Sequence, residues 1–186
     1  MVTAYRPILI ACLVAAGAIP GPVRVVEHTP CGAEVWGTAG GMPCSGGSGT
    51  SADFACQQQV DAEMAIYPLA VRIAGPTQQH NCHGFAFGTG RHVIMPRQGS
   101  IAGPLAPYTD SYCPDEANGT HLINAASLDS GEVSHSGQVS GPFLIIEHDI
   151  GLSILEHAWN YGDLGGFGLL QYSTAVKYSR ATTCPA

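Results

Sequence analysis

The chain has 186 residues and a formal charge of −7, from 14 Asp and Glu against 7 Lys and Arg. Those cations do not cluster, which excludes the phosphate backbone of nucleic acid as a partner, since that needs several positive groups on one face. The length suits one core of ordinary size, and a charged fraction of only 11% with 24 glycines fits a loop-rich extracytoplasmic protein better than a cytosolic enzyme.

In chain order, residues 7–19 are nearly all apolar, follow Arg6, and end in the small-residue run Ala16-Gly17-Ala18. This is the form of a secretory signal peptide over residues 1–18. The run is short for a bilayer span and no later segment offers another, so the mature chain is expected to have no stable membrane insertion. Leu9-Ile10-Ala11-Cys12 resembles a lipoprotein processing box, but almost no apolar segment precedes it. A secreted, periplasmic or extracellular location follows, and seven cysteines agree with it because disulfides persist in oxidising compartments. Removing Cys12 leaves Cys31, Cys44, Cys56, Cys82, Cys113 and Cys184; Cys31 with Cys44 and Cys113 with Cys184 are possible pairs, and connectivity stays open.

Residues 19–52 are expected to form a flexible leader, because Thr29 to Ser51 is dense in Gly, Pro, Ser and Thr. The folded domain is expected over 53–186. Phe54, Val60, Met64 and Tyr67 recur at helical spacing, and Pro68 stops that helix. Leu69 to Ile73 reads as a strand, and the segment opened by Cys82 as a short helix ended by Gly88 and Gly90. Pro96 to Gly119 reads as an ordered surface loop. Beyond it, short apolar runs near 121–126, 131–139, 142–148, 152–159 and 167–172 suit an antiparallel sheet.

Chemistry concentrates in His80-Asn81-Cys82-His83-Gly84-Phe85 and, about fifty residues on, Ser134-His135-Ser136-Gly137. A thiol becomes nucleophilic as a thiolate, favoured by a helix start and a neighbouring imidazolium. Cys82 is therefore the candidate nucleophile, with helix-start N–H groups as candidate oxyanion donors. His135 shares a strand face with Val133, Gly137 and Val139 and is the candidate base. A third group should orient the ring: Glu147 and His148, or Glu156 and His157, with Glu156 and His157 preferred. His80, Cys82 and His83 lack the paired spacing of a zinc site, and no metal or cofactor is expected.

Asn-Cys-His-Gly-Phe-Ala-Phe after Tyr67-Pro68-Leu69-Ala70, then Tyr108-Thr109-Asp110-Ser111-Tyr112, His135-Ser136-Gly137 and Cys184-Pro185, resembles secreted bacterial proteins related to the NlpC-type and CHAP-type cysteine peptidases and amidases. The resemblance covers roughly residues 67–186. It implies an α+β, papain-like fold, a short Cys-bearing helix packed on a small antiparallel sheet, and cleavage of amide bonds in peptide or peptidoglycan-like substrates. Cys82 would be the nucleophile and His135 the base, with Asn81, His83, Tyr112 and Trp159 the candidates for substrate contact. Related sequences often carry Ser-Lys-Trp-Gly after the histidine strand, where this chain has Glu156-His157-Ala158-Trp159. Two other classes stand beside the hydrolase: a non-catalytic, disulfide-stabilised binding module, which pairing of all six mature cysteines would favour, and an exported toxin using the same Cys and His. The weakly acidic composition suits a monomer.

Overall fold

A computed structural model describes residues 21–40, 58, 61, 65, 69–75, 77, 79–133, 135–142, 144–147, 153–158 and 175–185. The expected signal peptide, most of the expected helix before Pro68, and the run at 167–172 lie outside the described residues.

Strand accounts for 39% of the structure and helix for 11%. Strands β1 (Arg24–His28), β2 (Glu34–Ala39) and β4 (His92–Ile94) form a three-stranded antiparallel sheet in the order β1-β2-β4. The larger, seven-stranded sheet combines β3 (Val71–Ala74), β5 (Tyr112–Pro114), β6 (His121–Ile123), β7 (Ser136–Gly141), β8 (Leu144–Glu147), β9 (Ile154–Ala158) and β10 (Val176–Arg180). Its order is β3-β9-β8-β7-β6-β10-β5, and every pairing is antiparallel. A short helix, α1 (Cys82–Ala86), contacts β4 of the small sheet and β7 and β8 of the large one, and a 3-10 turn, Ala106–Asp110, packs on β5.

This mostly-β architecture overturns the α+β, papain-like expectation. Local motif residues carried that resemblance, and they govern the chemistry at Cys82 rather than the packing around it. The helix that bears Cys82 has only five residues, too few to form a layer of its own.

The stretch expected to be a flexible leader holds β1 and β2. Its glycines do not prevent pairing, because Val35 is wholly buried and joins a core of Ala86, Phe87, Ile94, Leu105, Tyr108, Tyr112, Ile123, Leu128 and Tyr178. Gly37 sits opposite Ile94 where a Cβ would run into the carbonyl oxygen of Val93. The Pro96–Gly119 segment likewise contributes to the interior: Phe87, Tyr108, Tyr112 and His121 form an aromatic cluster with centroids 4.8–6.0 Å apart.

Polar pins fasten the small sheet to that core. Glu27 on β1 accepts hydrogen bonds from the Tyr108 hydroxyl (2.7 Å) and from the Thr89 hydroxyl (2.7 Å) and N–H (3.2 Å). Thr29 donates to Asp110 (2.7 Å), and the Cys31 N–H donates to Ser111 (2.9 Å). Cys31 is joined to Cys184, a pairing across 153 residues that differs from both possibilities read in the sequence. Cys113 is a free, exposed thiol. Cross-links of this length stabilise mainly by restricting the unfolded chain, so Cys31→Ser is expected to cost about 2–4 kcal/mol. Denaturant unfolding of the variant, and of wild type with and without reductant, measures this; coincident curves would remove the disulfide as a stabilising element.

Candidate functional site

Asn81 builds the site's starting point. Its backbone is extended, and its Oδ1 accepts the N–H groups of Gly84 (2.9 Å) and of Ile94 (3.1 Å), while Nδ2 donates to the Ile94 carbonyl (2.8 Å). One buried amide therefore caps α1 and fastens it to β4. Gly84 allows the approach, since a Cβ there would run into the His92 carbonyl oxygen. Asn81, expected to contact substrate, instead fixes the position of Cys82. The expected oxyanion donors are partly used as well: the Gly84 N–H goes to Asn81 Oδ1 and the Phe85 N–H to the Asn81 carbonyl.

The other end of α1 is held by the large sheet. Gln138 on β7 donates through Nε2 to the carbonyls of Phe85 (3.2 Å) and Ala86 (3.4 Å), satisfying groups a helix end leaves open. Two residues earlier on the same face, Ser136 Oγ lies 2.9 Å from Nδ1 of His83. That same Nδ1 lies 3.7 Å from the sulfur of Cys82. His83, expected to meet substrate, is thus a buried neighbour of the thiol.

His135, one residue before β7, links Cys82 to the opposite face of the sheet. It is coupled electrostatically to the Cys82 thiol, and its Nε2 lies 3.2 Å from Oε2 of Glu147. Register explains the meeting: Gly137 pairs with Glu147, so His135, two residues before Gly137, is a diagonal neighbour of Glu147 on one face. Gly137 leaves the space, because a Cβ there would lie 3.3 Å from that of Glu147. Glu147 also receives His157, whose Nε2 is 2.8 Å from Oε1. His157 pairs with Ile145 and is the matching diagonal neighbour from β9.

Burial and charge act together here. Cys82 is 4% exposed. Burial pushes its thiol up, but the charges of His83 and His135 and hydrogen bonds from both rings outweigh it, bringing the pKa down from 9.0 to about 5. Burial pulls His135 down, yet the Cys82 thiolate beside it and the bond to Glu147 hold it well above the usual histidine range. Burial likewise raises Glu147, but hydrogen bonds from His135 and His157 and their charges bring it to about 2. These shifts favour a thiolate at Cys82, a protonated ring at His135 and an ionised Glu147, with His157 on the other oxygen of that carboxylate.

Of the residues read in the sequence, Cys82, His135 and His157 come together. Glu156 does not join them: strand alternation places it on the face of β9 opposite His157, paired with Ile146 and Val71. Glu147 takes the orienting position for which Glu156 was preferred. Tyr112 lies buried in the aromatic cluster. Trp159 and His148 lie outside the described residues. Ser136 was not singled out; its place beside His135 in the His-Ser-Gly motif was the available signal. Among the described residues no group of three or more His, Cys, Asp or Glu could hold a metal ion, and no helix is long and apolar enough to cross a membrane. Comparison with protein-family models, curated proteins and solved structures finds no match for this chain.

Proposed function

We propose that the chain is an exported cysteine amidase or endopeptidase, acting on amide bonds of cell-wall-type peptides. The observation that carries this reading is the Cys82–His135–Glu147 relay, in which a free thiol, an imidazole and a buried carboxylate stand in series. In this mechanism the Cys82 thiolate attacks the carbonyl carbon, and His135 gives its proton to the departing amine as the C–N bond breaks. Water then adds to the thioester, His135 takes its proton, and the acid leaves as the thiolate is restored. Glu147 keeps the His135 ring oriented and its positive charge balanced throughout.

The Cys31–Cys184 disulfide supports export, because such bonds persist in oxidising compartments. Kinship with the NlpC-type and CHAP-type hydrolases is proposed only at the level of a cysteine at a helix start followed by a histidine beside a strand. The free thiol at Cys82 weighs against a binding module that uses its cysteines in disulfides. Incubating the exported chain with a panel of cell-wall peptides and following amine release tests the reading. Wild type is expected to release amine and Cys82→Ala to release none; equal release by both would remove the thiol mechanism.

A further inference from the structure

The hydrolase mechanism gives no step to the buried imidazole of His157, yet its geometry is restrictive. Nδ1 lies 2.9 Å from the carbonyl oxygen of Ala158, and Nε2 lies 2.8 Å from Oε1 of Glu147. A carbonyl oxygen only accepts, so Nδ1 must carry a hydrogen. In a neutral ring Nε2 would then turn its lone pair toward a carboxylate oxygen, and two acceptors would face each other. A proton placed on Oε1 instead would discharge the carboxylate that His135 meets at 3.2 Å. Only a doubly protonated ring donates at both contacts and leaves Glu147 ionised for His135.

We propose that His157 is a cationic positioning residue, an imidazolium that holds one oxygen of Glu147 so that the other is presented to His135. This role deepens the hydrolase reading and rests on it, whereas the protonation state rests on the two contacts alone. Burial makes the arrangement consequential: the side chain of His157 is 1% exposed and that of Glu147 3%. A carboxylate held that far from water needs a charged donor at each oxygen, and His135 and His157 stand at the two.

Among the described residues, the groups that face His157 act in both directions. From β8 comes Glu147, whose hydrogen bond and charge favour the proton. From the β7 side comes His135, whose positive charge opposes it. On β3, Arg72 is exposed and pairs with Leu155; on β9 itself Glu156 lies on the other face. Contact with the carboxylate outweighs both burial and His135, and the pKa of His157 is raised.

Two measurements on the full chain test this. Long-range proton–nitrogen spectra of histidine-labelled protein at pH 7, with the His157 signals assigned by their loss in His157→Gln, are expected to show both ring nitrogens protonated. One unprotonated nitrogen would overturn the proposal. In the second, Cys82 alkylation is followed against pH: His157→Gln is expected to move the acid limb up by about one pH unit, a tenfold loss of thiolate below it. His157→Lys, which keeps the cation, is expected to return the limb toward wild type. Superimposable profiles for wild type and His157→Gln would overturn the positioning role. A cationic His157 in a chain that cleaves no amide would sink the hydrolase reading and leave the clamp in place.

Discussion

Replacing His83 and His135 together by alanine is expected to slow alkylation of Cys82 at pH 6 by roughly 300-fold, on the difference between a pKa of about 5 and an unperturbed thiol near 8.5. At pH 6 the first is about nine-tenths thiolate and the second about three thousandths. Burial of the sulfur pushes the same way, so the figure is a lower bound on the loss. His135→Ala alone should have a smaller effect, since His83 also lowers the thiol and its Nδ1 remains 3.7 Å from the sulfur. Peptide mass spectrometry after timed iodoacetamide exposure between pH 5 and 8 reads both variants. A double variant that labels like wild type would show that neither ring activates Cys82, and the relay would lose its first link.

Glu147→Ala is expected to be the most damaging single substitution for the fold, at about 3–5 kcal/mol, because it strands two buried imidazoles that share one carboxylate. In a chain of this size that corresponds to a melting temperature lower by roughly 6–20 °C. The pH dependence has a definite sign. The folded pKa of Glu147 is depressed from 4.5 to about 2, so its contribution is complete above 4.5 and is lost as pH falls through 2. That of His157 is raised above 6.5, so its contribution is complete below 6.5 and is lost as pH rises through the folded value. The Glu147–His157 pair therefore supports the fold most between about pH 4.5 and 6.5. His135 and Cys82 act as a coupled pair: above 6.5 folding adds a proton to the ring, and below 9.0 it removes one from the thiol, so their effects on the slope oppose. Thermal melts from pH 2 to 8 should show the acid limb in wild type and a flatter one in Glu147→Gln, which keeps the shape without the charge. Identical acid limbs would mean that Glu147 is not the titrating group.

The two experiments interrogate opposite ends of one relay, and those ends differed in how far they could be read from the chain. Cys82, its helix start and its glycine stop were legible because they depend on residues within a few positions: Asn81 caps Gly84 three residues on, and His83 is adjacent to the thiol. The choice of Glu156 over Glu147 failed for a reason of register. Ile145-Ile146-Glu147 shows no alternation from which a face could be read, so only the pairing of Gly137 with Glu147 and of Ile145 with His157 decides which carboxylate turns toward the histidines. The Gly-rich stretch failed likewise: β2 exists because it pairs with β4 more than fifty residues later and buries Val35. The Cys31–Cys184 bond depends on a similar closure across 153 residues.

By itself, then, the sequence determined the cysteine at a helix start, the short helix around it and the histidine beside a strand, together with antiparallel strands in the second half, since these follow from near-neighbour capping and local hydrophobic pattern. Only the tertiary structure decided the mostly-β class, the carboxylate of the relay, the clamp on that carboxylate and the disulfide. Each of these requires distant segments to meet in one register, and side-chain alternation makes a one-residue slip in that register exchange the two faces of a strand.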